Sequence, residues 1–290
     1  MPFSHRCHHH HQGDGGPPPS KRRKVSDSSV SVSTWENAAR GEWRWSTIGS
    51  DGSGSSTFAS DFMSRDEIER CSPSRRDGID SFSETRLRYS YCSYLRNLGV
   101  RLGLPQTTIA TAVVLCHRFF LCRSHACHDR FLVATAVLFL AAKSEETPRL
   151  LDTVLRASCE ISQLAFLPNM LHRDWFQQYR ERVIEAEQMI LTTLDFELDV
   201  KHPYAPLTSV LTKLGLSDTV LFIVAWNLVT EGLRSSLWLQ FKPRHIAAGA
   251  ALLAAKFINY DLACCSNFWH EFQTTPSVLQ DVVQQLMELF

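Results

Sequence analysis

Two stretches of the chain repeat one pattern. "FLVATAVLFLAAK" ends at Lys143 and "HIAAGAALLAAK" ends at Lys256, 113 residues apart. Each is a run of small and apolar residues closed by a lysine. Between Phe131 and Ala142 the only polar residue is Thr135. A helix with no polar face is buried on all sides, and small side chains let its neighbours come close. The stretches ahead of these two, "TTIATAVVLCHRFFLCRS" and "TVLFIVAWNLVTEGLRSS", align at a spacing of 112. A repeat this long is a domain, not a solenoid unit. The chain therefore reads as two five-helix modules, each built round a central apolar helix. The apolar runs all fall short of the roughly 20 residues that cross a bilayer, so no membrane partner is expected.

No strand-like alternation lasts long enough to form a sheet, and the fold class is all-α. Residues 1–60 differ from the rest. "HHHHQGDGGPPPS", "SDSSVSVS" and "GSDGSGSS" are low-complexity and too polar to fold, so this part reads as a disordered tail. Within it, Lys21, Arg22, Arg23 and Lys24 form a basic run of the nuclear-import kind. The His8–His11 run and "TWENAARGEWRW" receive no assignment. Residues 61–82 hold a short helix, 65–71, stopped by Pro73, and a lead-in segment. The first module is expected over 83–197, with helices near 84–102, 105–122, 129–143, 149–158 and 174–194. Ser83 is its first N-cap, and Gly103 follows the first helix. The second module is expected over 203–290, with helices near 203–214, 217–235, 243–259, 267–272 and 276–290.

Apolar residues make up 44% of 290, enough for a real core. From Arg65 onward 23 basic residues face 24 acidic ones, so direct nucleic-acid binding is not expected without a local basic patch. The nine cysteines read as reduced thiols, because the chain opens without an apolar secretory segment. Four of them, Cys92, Cys116, Cys122 and Cys159, fall in helical stretches where buried thiols are common.

One carboxylate does not fit the apolar plan. In "RERVIEAEQMILTTL" the residues Val183, Ile184, Ile190, Leu191 and Leu194 form a helical stripe, and Glu187 stands in the middle of it. An unpaired charge there would cost several kcal/mol. Lys143 is the obvious partner, at a helix C-terminus where the dipole favours a cation. Two readings follow. The pair is either an internal tie between helices, or a surface that clamps the exposed backbone groups at the end of another protein's helix.

Two consecutive five-helix modules, with "FLAAKSEETP" in the first and a glutamate in its fifth helix, resemble the cyclin family over about residues 62–290. "SPSRR" within "FMSRDEIERCSPSRRDGID", with "HRFF", "ILTTLDFEL" and "HPY", is similar to the T-type cyclins, particularly those of plants. The resemblance implies two tandem cyclin boxes and a non-catalytic regulator, without a cofactor. It implies a heterodimer with a cyclin-dependent protein kinase that phosphorylates the RNA polymerase II C-terminal repeat domain, promotes elongation and acts in the nucleus. It also implies that Lys143 and Glu187 contact the kinase's regulatory helix, and by position that Phe139, Glu146 and Phe196 share that face. Core packing is the other reading of the two phenylalanines. The family's Leu-Gly-Phe is Leu194-Asp195-Phe196 here, and loss of the glycine is expected to extend or re-aim the turn carrying Phe196. The alternatives are a K- or L-type transcriptional cyclin, or a transcription-factor scaffold with the same fold and no kinase.

Other chemistries find little support. Cys116, His117, Cys122, His125, Cys127 and His128 are dense in metal-type residues. However, Cys116 and Cys122 point to different faces of one helix, and paired Cys-x-x-Cys units are missing. Neither a nucleophile paired with a base nor a phosphate-cradling glycine loop is suggested.

Overall fold

The computed structural model describes residues 62–162, 173–217, 219–261 and 268–290. The basic run Lys21–Lys24, the His8–His11 run, the tryptophan-rich stretch and Cys264–Cys265 lie outside these residues. Among the described residues there are α-helices and no strand, and no helix is long and apolar enough to cross a membrane.

Helix α1, Arg65–Cys71, opens on a capping box between Ser64 and Glu67. Pro73 does more than stop it. It is the first residue of α2, Pro73–Arg76, where a missing N–H costs nothing. Ser72 closes α1 and caps α2 by accepting the Arg75 N–H. Helix α3, Ser81–Arg101, starts earlier than expected, because its cap is Asp80 and not Ser83. The Asp80 carboxylate accepts the Ser83 N–H at 2.9 Å, and a carboxylate at a helix N-terminus also suits the dipole.

The first module continues with α4 (Gln106–Cys122), α5 (Arg130–Ser144), α6 (Leu151–Ile161) and α7 (Arg173–Thr193). The apolar α5 is its centre and packs on α3, α4, α6 and α7. Thr135, the one polar residue of that run, joins Tyr94 of α3, Ser158 of α6 and Tyr179 of α7 in one buried cluster. The Tyr94 hydroxyl lies 2.7 Å from both Thr135 and Ser158, and Ser158 lies 2.7 Å from Tyr179. Four helices thus meet at four hydroxyls that satisfy one another, as burial demands.

The second module has α8 (Tyr204–Lys213), α9 (Val220–Gly232), the short α10 (Leu237–Gln240), α11 (Pro243–Phe257), α12 (Phe268–Phe272) and α13 (Pro276–Met287). The helix expected over 217–235 stops at Gly232, and α10 follows it. Helix α11 is the centre here and packs on all five others. The approach is close: a Cβ on Gly249 would lie 2.4 Å from Val282 Cγ1 of α13.

The repeat extends to the way the central helices end. Thr147 N–H donates to Ala142 O at 2.8 Å, and Tyr260 N–H donates to Ala255 O at 2.8 Å. The residues before these donors, Glu146 and Asn259, both take the left-handed conformation, with φ of 53° and 51°. This is the usual helix stop, in which glycine is the common occupant.

Side chains also join the modules. His117 of α4 lies 2.8 Å from the Leu233 carbonyl after α9, and Arg96 of α3 pairs with Glu231 at 3.1 Å. Of the four helical cysteines, Cys92, Cys116 and Cys159 are buried, whereas Cys122 is exposed. Burial pushes the Cys92 thiol up to about 12 and the Cys159 thiol to about 11, so these behave as small apolar groups. Among the described residues no cluster of three or more His, Cys, Asp or Glu could hold a metal ion.

Candidate protein-binding site

The end of α5 and the facing side of α7 bring Lys143 and Glu187 together. Lys143 Nζ lies 2.6 Å from Glu187 Oε1. The environments of the two differ. The Lys143 side chain is 44% exposed, the Glu187 side chain only 11%. The ammonium therefore engages the buried Oε1 directly, and no other backbone or side-chain N–H donates to the carboxylate among the described residues. A carboxylate held by a single ammonium keeps capacity to accept a further N–H. The same ammonium lies 4.3 Å from the centroid of the Phe139 ring, one turn back on α5, within cation–π range.

The turns on either side carry the other expected residues. Glu146 is exposed in the left-handed stop of α5. Phe196 does not enter the core; it is 68% exposed. Asp195 and Phe196 both have positive φ, 48° and 61°, so Asp195 takes up the left-handed geometry itself and the turn is kept. Aspartate tolerates that region better than most residues. Arg118 fixes the strand of chain beyond it, donating to the carbonyls of Glu197 and Asp199. Phe139 is half-buried beneath Lys143 and Phe196 stands in solvent. Among the described residues no hydrogen bond, ion pair or ring contact joins Phe196 or Glu146 to the Lys143–Glu187 pair.

The loop after α5 is held from several directions. Arg149 donates to the carbonyls of Leu102, Gly103, Thr147 and Pro148. Thr147 meets Thr108 at 3.1 Å. A further chain of bonds escaped the sequence reading. Thr111 Oγ1 lies 2.7 Å from Glu145 Oε1 and 2.8 Å from His202 Nε2. The hydroxyl's one proton goes to the carboxylate, so His202 must donate from Nε2. Its Nδ1 then accepts from Trp238 Nε1–H at 3.3 Å. Burial lowers the imidazole to about 4, which keeps it neutral as this arrangement requires. The loop beside Lys143 is thereby tied to α10 of the second module. His202 was legible only as part of "HPY"; its partners are distant in sequence. Leu150, also unsuspected, is 79% exposed at the end of the same loop.

The second module has no such pair. Lys256 occupies the place of Lys143 but makes no ion pair among the described residues, and the described part of α13 offers Val282 and Val283 to α11's side of the core. The duplication is therefore asymmetric, and the charged site belongs to the first module alone.

Comparison with known proteins agrees with this architecture. Residues 59–199 match the family profile "Cyclin, N-terminal domain". Over 237 residues the chain is 48% identical to Cyclin-T1-3 of Oryza sativa subsp. japonica, covering 80% of this chain and 48% of that relative. It is 37% identical to the putative cyclin-T1-1 of Arabidopsis thaliana, covering 79% of this chain and 93% of that one. The fold is similar to a chain in the crystal structure of the yeast RNA Pol II CTD kinase CTDK-1 complex, with a TM-score of 0.68, 20% identity and coverage of 80% of this chain and 73% of that chain. The chain belongs to the cyclin family, and within it to the plant T-type. It spans about half the length, or less, of several of the curated relatives it matches.

Proposed function

We propose that this chain is the non-catalytic activating subunit of a transcriptional cyclin-dependent kinase in the nucleus. In this reading the heterodimer phosphorylates the RNA polymerase II C-terminal domain and promotes elongation. The observation that carries it is the Lys143–Glu187 pair, held at 2.6 Å with the Lys143 side chain 44% exposed. The occurrence of a similar fold in an RNA polymerase II kinase complex supports the choice of target.

The mechanism follows from what a kinase needs. Its strand lysine must pair with a glutamate on its regulatory helix. A subunit that binds the inward position of that helix better than the outward one shifts the population toward the active state. Lys143 supplies donors to the carbonyls at a helix end, and Glu187 accepts from a backbone or side-chain N–H. Phe139, Phe196 and Glu146 add area and charge round the pair. The loop from Glu145 to Leu150, already fixed by Arg149 and Thr111, loses little freedom on binding.

The test is reconstitution. Adding the chain to a purified transcriptional kinase subunit should raise phosphorylation of a C-terminal-domain repeat peptide by orders of magnitude. A stoichiometric mixture that neither associates nor gains activity would refute the proposal.

A further inference from the structure

The "SPSRR" motif is absorbed by the fold, and that leaves an arginine free. Glu84 and Arg88 stand four residues apart on α3, the spacing at which an acid and a base normally pair. They do not pair here. One Glu84 oxygen accepts from the Ser72 hydroxyl at 2.7 Å, and the other accepts from Arg75 Nε at 2.7 Å. Both partners come from the motif. Arg88 is half-buried and makes neither an ion pair nor a hydrogen bond among the described residues.

Arg88 lines a cavity of about 250 Å³ between α1, α3 and the turn after α9. A second unused donor lines the same cavity. Arg234 pairs through Nη2 with Glu231 at 2.9 Å; its Nε is enclosed by protein, and its Nη1 makes no hydrogen bond among the described residues. The Arg234 guanidinium also lies 5.5 Å from the centroid of the Tyr89 ring, another lining residue. The other arginines of the cavity are already engaged: Arg65 with Glu69 and Glu288, and Arg75 with Glu84.

We propose that Arg88 and Arg234 form an anion site for a phosphorylated serine or threonine of a partner peptide. Two guanidinium groups with spare N–H donors match the several acceptor oxygens of a phosphate dianion. The cavity opens to the surface and leaves room for the chain that carries the phosphate. A nucleic acid is the poorer occupant. Glu69, Glu84 and Glu288 line the same walls and are offset by Arg65 and Arg75, which leaves the charge of Arg88 and Arg234, enough for one dianion and not for a continuous run of phosphates. The site is separate from the Lys143–Glu187 pair, and it does not depend on the kinase reading.

The test is fluorescence anisotropy of the full chain with a labelled peptide carrying one phosphoserine among glycines and serines. The expected result is binding of the phosphopeptide and none of its unphosphorylated twin. Arg88→Gln should weaken it roughly tenfold or more, and Arg234→Gln by a similar factor. Arg88→Lys should lose part of the affinity, since an ammonium lacks the fork. Arg180→Gln, far along α7, should bind as the parent does, and all four variants should keep the parent's melting temperature. If Arg88→Gln melts early, Arg88→Lys and Arg234→Gln decide the matter. Equal affinity for both peptides, full affinity in the folded Arg88→Gln chain, inorganic phosphate binding as tightly as the phosphopeptide, or single-stranded RNA binding more tightly would each overturn the proposal.

Discussion

Tyr91 and His117 share a buried hydrogen bond, with the Tyr91 hydroxyl 2.6 Å from His117 Nδ1. The other ring nitrogen donates to the Leu233 carbonyl, so the hydroxyl is the donor to Nδ1 and the imidazole is neutral. Burial lowers its value from 6.5 to about 3. A ring depressed in the folded state stabilises the fold fully above the unfolded value. That contribution is lost as pH falls from 6.5 toward 3. From His117 alone the loss by pH 5 is about 2 kcal/mol; His125, also lowered to about 3 by burial, and His202, lowered to about 4, add to it. Melting followed by circular dichroism should show a lower midpoint at pH 5 than at pH 7. Nitrogen NMR should find His117 still neutral at pH 5, and a protonated ring there would disprove the assignment.

Lys143→Ala and Glu187→Ala should each weaken the complex with the kinase by about 2–5 kcal/mol, in part because each leaves its partner's charge stranded. Calorimetric titration of the two single variants and the double variant separates that part. The double should cost less than the sum of the singles. Additive losses would mean that the two side chains act independently.

Phe196→Ala should lower kinase affinity by about 2 kcal/mol, the scale of an exposed aromatic anchor. The melting temperature should hardly move, because the side chain is 68% exposed and such surface changes stay within about 0.5 kcal/mol. A large fall in stability with unchanged affinity would place Phe196 in the fold instead of the interface.

Thr135→Val keeps the shape of the side chain and removes the hydroxyl shared by Tyr94, Ser158 and Tyr179. The expected cost is about 1–3 kcal/mol, read by urea unfolding, since a buried hydroxyl loses its partner. Tyr94→Phe in the same background should cost less than it does alone, because one of the two bonds it breaks is already gone.

Gly249→Ala should cost about 1–3 kcal/mol by overpacking, because the new methyl would sit 2.4 Å from Val282 Cγ1. Adding Val282→Ala should recover part of the loss. A Gly249→Ala chain as stable as the parent would show that α11 and α13 can separate freely.

The helices were legible because their signals are local. The apolar runs and Gly103 after α3 follow from neighbours in sequence. Glu187 was legible because a carboxylate in an apolar stripe has no structural excuse without a cation. What could not be read was set by partners far along the chain. His202 acquires its meaning from Thr111 and Trp238, and Arg88 from the capture of Glu84 by Ser72 and Arg75. None of these has a periodicity, since the groups that define them lie on different helices.

The bond from His117 to the Leu233 carbonyl has a practical consequence. A protein cut at the link between the modules would lose the carbonyl that receives the His117 N–H and uncover the face on which the second module packs. The first repeat, although it carries the whole charged site, should thus be a poor minimal fragment, and drug screens or crystal trials directed at it should keep both repeats together.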